Sequence, residues 1–335
     1  MNTDETYMQR ALELARRGEG LTRPNPPVGA LLVEEGHILA EGWHRCAGKP
    51  HAEPEVLSQI EEGRDLSKAT LYITLEPCST HGRTPPCSDL IVSRGVGRVV
   101  VGVLDPNPKH AGAGMDQLRS AGIEVVCGVL EEESARLIAP FAMCMIHQRP
   151  FVTLKLAMSL DGKIADAQGA SKWITGEPAR EVVQSLRRKV DAIMVGAGTV
   201  RADNPSLLPR PADGRAPWRV ILGEQVDASA KVFTDEAREQ TLVRQGELTE
   251  ILHQLAQEQQ VMHLLCEGGG KTATALLEAD LVDELILFVA PRFIGEDGRS
   301  GYTHRGDTIL NHALLQFASI ERVGDDIMIR AEMRK

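Results

Sequence analysis

Four residues of this chain can do chemistry together: His51, Glu53, Cys78 and Cys87. They lie in His51-Ala-Glu53, in Glu76-Pro77-Cys78 and in Pro86-Cys87. One imidazole and two thiolates are the donor set of a catalytic zinc, which takes three protein ligands and leaves one position for water. Zinc lowers the pKa of that water, so hydroxide becomes available near neutral pH. Glu53 shares a backbone segment with His51 but points elsewhere. A carboxylate there can carry protons between the water and a leaving amine without binding the metal. A helix that opens at Cys87 would favour its thiolate through the helix dipole. His-x-Glu followed by Pro-Cys and a second cysteine is the order found in zinc deaminases. The general pattern separates the two cysteines by two residues, whereas here Ser79 to Pro86 separate them. That loop is placed to cover the site and hold a substrate. The competing reading is a structural zinc, which needs a fourth ligand, and His81 and Cys46 are the available donors. Glu53 and the Pro-Cys elements favour catalysis. Cys127, Cys144 and Cys266 sit in apolar segments and read as packing residues.

The elements that must position these residues follow from periodicity. Met8, Ala11, Leu12 and Ala15 make an amphipathic first helix, capped by Thr3 or Asp4. A rigid loop, Thr22 to Pro27, leads into strands 28–33 and 37–43, joined by the turn Glu34-Glu-Gly36. A short helix starts near His51, a strand runs over 70–75, and a helix runs from Cys87 to about Val92. Strand 98–103, helix 113–121, strand 123–129 and helix 131–146 follow. This alternation predicts a three-layer α/β domain with a mixed sheet. Ile146-His-Gln-Arg-Pro150 marks a boundary, which predicts domains 1–147 and 148–335. Beyond it the βα rhythm restarts with strand 151–158, helix 178–189 and strands 191–195 and 218–222. Helix 248–259, strand 261–266, helix 270–279 and strand 284–289 come next, with a closing hairpin over 319–323 and 327–332. The Pro-, Asp- and Gly-rich stretch 203–217 reads as a long functional loop.

Composition narrows the function. Two domains suit 335 residues, and a 42% hydrophobic content supports ordinary packed cores. The net charge of -10 and the 4% aromatic content argue against a nucleic-acid binder. No apolar run resembles a signal peptide or a membrane span. The expected protein is therefore soluble and cytoplasmic, and its six cysteines are not a disulfide scaffold.

The second half holds further chemistry-bearing residues. Glu267-Gly-Gly-Gly-Lys-Thr272 follows a strand and opens a helix, where glycines let backbone N–H groups approach a phosphate. It is not a P-loop, because Leu265 stands where that motif needs glycine. Gly196-Ala-Gly198 is no dinucleotide fingerprint either, since Arg201 occupies a position that needs glycine or alanine. Arg187 and Arg210 suit a phosphate, and Lys155 and Asp203 are charged groups available to assist a reduction.

At these residues the chain closely resembles the bifunctional riboflavin-biosynthesis deaminase-reductase family. The resemblance rests on Thr22-Arg-Pro-Asn-Pro-Pro-Val-Gly29, His51-Ala-Glu53, Thr74-Leu-Glu-Pro-Cys78, His81-Gly-Arg-Thr-Pro-Pro-Cys87 and Asp105-Pro-Asn-Pro108. The second half adds Leu154-Lys-Leu-Ala-Met-Ser-Leu-Asp-Gly162, Ser171-Lys-Trp-Ile-Thr175, Thr199-Val-Arg-Ala-Asp203 and Glu267-Gly-Gly269. The long cysteine gap is this family's own spacing. The resemblance implies a cytidine-deaminase-like first domain and a dihydrofolate-reductase-like second domain. It implies zinc and NADPH as cofactors, and diaminohydroxyphosphoribosylaminopyrimidine as the substrate. That pyrimidine would be deaminated, and its ribosyl chain then reduced to ribityl. In the alternative, the second domain only binds ligand or oligomerises.

By family position, His51, Cys78 and Cys87 would hold zinc, with Glu53 catalytic. Asn25, His44, Arg83, Asp105 and Asn107 would line the deaminase pocket. Ala157, Trp173, Thr199, Asp203, Gly269, Gly270, Lys271 and Thr272 would face NADPH. Lys155, Ser171, Arg187, Leu207, Arg210 and Glu267 would face the second substrate. A homo-oligomer, dimer or tetramer, is also implied, with contacts through the C-terminal hairpin and strand 284–289. Two departures stand out. Pro54 and Glu55 replace an aliphatic residue and a small or polar one. Gly223 and Glu224 replace an acidic residue and a small one near the cofactor, and a glutamate beside a nucleotide 2′-phosphate is unfavourable.

Overall fold

The computed structural model describes residues 3–80, 85–108, 110–211, 215–303 and 315–333. The chain divides into two compact units, Met1–Gln148 and Arg149–Lys335. No helix among the described residues is long and apolar enough to cross a membrane.

In chain order the first unit holds α1 (Thr3–Ala15), β1 (Gly29–Glu34), β2 (His37–Trp43), α2 (Ala52–Leu57) and β3 (Thr70–Leu75). Then come α3 (Cys87–Ser93), β4 (Arg98–Val103), α4 (Ala113–Ser120), β5 (Glu124–Cys127) and α5 (Glu131–His147). The sheet order is β2-β1-β3-β4-β5. β1 pairs antiparallel with β2 and β3, while β3, β4 and β5 run parallel. This is the expected mixed sheet in a three-layer α/β unit. Its inner strands are apolar on both faces through their middles, because both faces are covered. Leu32, Leu71, Ile73 and Val101 pack on α2, α3 and α4 through Ala52, Val56, Ile91 and Leu118. Leu31, Tyr72 and Val100 point the other way, onto Met8, Ala11 and Leu14 of α1. Gly29 is required there: a Cβ on it would lie 2.1 Å from the carbonyl oxygen of Ala11. Pro54 sits inside α2 without breaking it, as a proline in the first turn should.

The second unit holds β6 (Phe151–Ser159), β7 (Lys163–Ala165), α6 (Glu177–Lys189), β8 (Ala192–Gly196), α7 (Ala197–Asp203), β9 (Trp218–Leu222), α8 (Lys231–Thr234) and β10 (Thr241–Arg244). α9 (Leu248–Glu258), β11 (His263–Cys266), α10 (Gly270–Glu278), β12 (Glu284–Ala290), β13 (Arg299–Ser300), β14 (Leu315–Val323) and β15 (Asp326–Met333) complete it. The main sheet runs β10-β9-β8-β11-β6-β12-β15-β14. β10 through β12 in that order are parallel, and β15 and β14 close the edge antiparallel. This mixed sheet with helices on both faces is the dihydrofolate-reductase-like arrangement expected of this half. Leu154, Met194 and Leu264 pack on α9 and α10, while Ile193, Val195 and Ile221 face Val200 and Val232.

The long loop is found as its composition predicts, to within one residue: α7 ends at Asp203, and residues 204–211 and 215–217 hold no helix or strand. It is held by Arg219. This side chain has no exposed surface, and it donates to the carbonyls of Ser206 and Val232 and to Asp235 at 2.7 Å. A buried ion pair loses far more when one partner is removed than it contributes when intact. Asp235→Ala is therefore expected to lower the unfolding free energy by about 3 kcal/mol in urea titrations.

Candidate active sites

The first site forms where three segments meet at one end of the first sheet. β3 ends at Leu75 and hands the chain to Glu76-Pro77-Cys78. His51 is the N-cap of α2, and Cys87 is the first residue of α3. The backbone N–H of Cys87 donates to Cys78 Sγ at 3.4 Å, and the N–H of Ser88 donates to the Cys78 carbonyl at 3.2 Å. His51 Nδ1 lies 3.4 Å from Cys87 Sγ and 3.8 Å from Cys78 Sγ. Among the described residues these three are the group gathered closely enough to share a metal ion, with donor atoms within 4.8 Å of one another.

The spacing fits zinc. Sulfur at roughly 2.3 Å and nitrogen at roughly 2.0 Å from a tetrahedral zinc lie about 3.6 Å from each other. The observed pair brackets that value. Cys46 is not part of the group, and His81 lies outside the described residues. Without a cation, the two thiols compete for one negative charge. Cys78 is held down to about 4, first by a hydrogen bond from Cys87. Cys87 is pushed far up, first by that bond and then by burial.

Glu53 is buried, at 3% exposure. Burial pushes its carboxyl up to about 7, and the negative charge of Cys78 adds to the rise. Its side chain also bonds Cys87, so it faces the thiols. His44 is buried beside His51, with the rings edge to face at 5.3 Å. His44 Nδ1 lies 2.9 Å from the Pro50 carbonyl, which fixes its proton on that nitrogen. Its Nε2 therefore accepts from the Asn25 amide at 3.0 Å. The Asn25 carbonyl oxygen is the group this leaves for a ligand. Burial, and then the charge of His51, lower the His44 pKa. Asp105 follows β4, and its carboxylate accepts from the Asn107 N–H at 2.8 Å. Arg83 lies outside the described residues.

The sequence reasoning passed over Glu76. It is buried, and its carboxylate accepts four backbone N–H groups: Asp105 and Gly112 on Oε2, Gly114 and Met115 on Oε1. The signal was present as a carboxylate beside Pro-Cys, but its partners lie up to 39 residues away.

In the second unit Lys155 and Ala157 lie on β6, while Thr199, Glu267 and Gly269 to Thr272 lie just past the C-terminal ends of β8 and β11. Two consecutive glycines with positive φ, Gly268 and Gly269, turn the chain from β11 into α10. A Cβ on Gly269 would lie 3.0 Å from Thr199 Oγ1, and one on Gly270 would lie 2.6 Å from the Ser300 carbonyl. Thr272 reaches the same place from α10, since a Cβ on Gly196 would lie 2.8 Å from its hydroxyl. Lys271 is exposed beside it. Asp203 ends α7 and accepts from the Ser171 hydroxyl at 3.2 Å, while Lys172 bonds its backbone carbonyl at 3.0 Å. Trp173 is 59% exposed, with the Arg180 guanidinium 4.6 Å from its ring centre. Lys155 and Ala157 share one face of β6, two residues apart.

Arg187 has a partner that composition did not reveal. It pairs with Glu267 through Nε at 2.5 Å and Nη2 at 2.8 Å, and its Nη1 donates to the Leu208 carbonyl. Burial raises the Glu267 carboxyl, but Arg187 outweighs that and the net shift is down. Lys155 is lowered, by desolvation first and by Arg187 next, against the pull of Glu267. Leu207 is buried with φ +62°, and the Arg210 N–H donates to Gln184 at 2.8 Å. The loop is thus pinned to α6 by backbone bonds, while the Arg210 side chain stays exposed. After β9, Gly223 has φ +108°, and the Glu224 and Gln225 carbonyls both accept from Arg201 at 3.1 Å.

Residues 150–329 match the model of the RibD C-terminal domain, and residues 1–103 match the cytidine and deoxycytidylate deaminase zinc-binding region. The riboflavin biosynthesis protein RibD of Aquifex aeolicus is 42% identical, over 97% of both chains. The chain belongs to the RibD family. The family joins a zinc-type deaminase domain to a reductase domain in riboflavin biosynthesis. A solved RibD of Acinetobacter baumannii superposes with a TM-score of 0.91 at 36% identity, covering 99% of each chain. A second solved relative, from Thermotoga maritima, superposes with a TM-score of 0.89 at 39% identity, covering 99% of each chain. It is named a diaminohydroxyphosphoribosylaminopyrimidine deaminase/5-amino-6-(5-phosphoribosylamino)uracil reductase. The match to a reductase-type second domain leaves the purely ligand-binding alternative unsupported.

The thiol pair yields a metal test. Cys87→Ser removes one anionic donor, and zinc affinity is expected to fall by at least about tenfold. Elemental analysis after dialysis against a chelator measures it.

Proposed function

We propose that the chain converts diaminohydroxyphosphoribosylaminopyrimidine in two steps, at the two sites just described. The observation that carries this reading is the His51-Cys78-Cys87 cluster with a buried carboxyl against it. Zinc, when bound there, supplies a water acidified to near neutrality. Glu53 takes a proton on the attacking side and delivers it to the departing nitrogen, so water enters and ammonia leaves. A carboxyl raised to about 7 is suited to both halves of that transfer. Asn25, turned by His44, accepts from the pyrimidine ring or its amine. Asp105 and Asn107 complete the wall.

In the second step NADPH, when bound, would supply the hydride for the ribosyl carbon, and the protein's own groups would supply a proton for its oxygen. The glycine turn from Gly269 to Thr272 cradles cofactor phosphate at the N-terminus of α10. Ala157, Trp173, Thr199 and Asp203 line the rest of the cofactor cleft. Ser171, Lys155, Glu267 and Leu207 face the ribosyl chain. A desolvated amine gives up its proton more readily, which suits Lys155 as the donor. Arg187 holds Glu267 in place, and exposed Arg210 is the better placed of the two arginines for the substrate phosphate. The natural ligand is a small phosphorylated pyrimidine rather than a nucleic acid, in keeping with the net charge of -10. The exposed apolar Phe317 and Ile320 on edge strand β14 support a homo-oligomer. The proposed location is the cytoplasm.

The test follows product formation with and without NADPH. Ammonia is expected without NADPH, and NADPH oxidation only on the deaminated product. No ammonia release by the zinc-loaded protein overturns the first assignment. No oxidation overturns the second. Glu53→Gln is expected to cut deamination by at least about 100-fold while zinc content and reduction of the deaminated intermediate stay unchanged. Lys155→Met should show the opposite pattern, with reduction down at least about tenfold and deamination intact.

A further inference from the structure

The loop that carries Asp105 and Asn107 closes its own turn, with the His110 and Ala111 N–H groups on the Asn107 carbonyl, but its two ends are joined to the rest of the unit elsewhere. It runs between β4 and α4 with no regular structure from Leu104 to Gly112, apart from Lys109, which lies outside the described residues. Its fixed point is Glu76. The backbone N–H of Glu76 bonds the Val103 carbonyl at 2.9 Å, where the loop begins. Its carboxylate accepts Asp105 N–H at 3.1 Å and Gly112 N–H at 2.9 Å on one oxygen. The other oxygen accepts Gly114 N–H at 2.9 Å and Met115 N–H at 3.3 Å. One carboxylate thus ties both ends of the loop, and it also caps α4, whose N-terminal dipole favours a negative charge.

A second contact fixes the same place independently. A Cβ on Gly114 would lie 2.1 Å from the Pro77 carbonyl oxygen. The start of α4 therefore rests directly on the residue before Cys78. Asp105 feels this proximity: burial raises its pKa first, and the charges of Glu76 and Cys78 raise it further.

We propose that Glu76 is a positioning residue for deamination, holding the Asp105–Asn107 wall in register with the zinc ligands. This inference rests on the deaminase reading of the first unit. Gln is the decisive substitution, because it keeps the shape of the side chain. Its amide nitrogen must face two N–H donors: either Asp105 and Gly112, which releases both ends of the loop, or Gly114 and Met115, which releases the start of α4.

In Glu76→Gln the deaminase KM is expected to rise roughly tenfold, with kcat changed far less and zinc content unchanged. In an Asp105→Ala/Asn107→Ala background the same substitution should have little further effect, since the wall it positions is gone. Glu76→Asp keeps the charge on a shorter stem, and should fall between wild type and Gln; it carries the test if Gln fails to accumulate. Amide exchange supplies a readout that needs no activity. Either Asp105 and Gly112 or Gly114 and Met115 should lose N–H protection in Glu76→Gln, while the amides of β3 and β4 keep theirs. Unchanged exchange at these four amides overturns the proposal. So does an unchanged KM, or a full effect persisting in the double-alanine background. A wild-type chain that releases no ammonia would overturn the deaminase reading itself, and the exchange result would still decide whether Glu76 holds the loop.

Discussion

Two thiols this close together cannot both carry a negative charge unless a cation lies between them. Much of the first unit follows from that constraint. Cys78 and Cys87 come from different elements, and each is held by backbone bonds rather than by the other's charge. In the metal-free protein one thiolate suppresses the other, which is why Cys78 falls and Cys87 rises. A divalent cation reverses the competition and makes two thiolates the favoured state. The folded chain thus brings together charges that only a metal can reconcile. Binding of zinc and the release of a thiol proton are coupled by the same geometry.

That geometry has to be rigid, and the rigidity comes from buried strands. β1, β3 and β4 are apolar on both faces, so a slip of one residue would still bury carbon but would misplace every loop at their ends. Close backbone approaches remove that freedom. Gly29 lets α1 lie against β1, and Gly114 lets α4 lie against Pro77. In both places a methyl group would collide with a carbonyl oxygen, so these contacts admit one register only.

Much of this was legible in the sequence, for a physical reason. His51, Glu53, Cys78 and Cys87 are rare residue types in fixed local patterns, and local spacing is what a sequence displays. The elements around them follow hydrophobic period, so α1, β1 to β4 and α9 emerge with nearly their observed bounds. α7 was hidden because Gly196 and Gly198 open it, and glycine reads as a turn. β10 was hidden because Thr241–Arg244 is a half-exposed edge strand without alternation. Glu76 and the Arg187–Glu267 pair were hidden for a deeper reason. Their partners are backbone amides or side chains far along the chain, and nothing in the local pattern says that a carboxylate will be buried.

The Arg187–Glu267 pair also changes what each residue can do. A guanidinium presents a limited set of donors, and Arg187 has Nε, Nη1 and Nη2 engaged with Glu267 and the Leu208 carbonyl. A guanidinium has five N–H donors, so two remain on Arg187 for a further ligand while the pair with Glu267 stays intact. The Glu267 carboxylate keeps its charge in an apolar setting chiefly because Arg187 is there, with Lys155 adding to the effect. Lys155 sits in the field of both, attracted by one and repelled by the other. The three charges are therefore coupled: Arg187 holds Glu267, while burial first, and then the opposed charges of the pair, decide the proton affinity of Lys155. A similar compensation operates after β9. Glu224 introduces a negative side chain, but Arg201 is bonded to the backbone of that very turn and places a positive charge beside it.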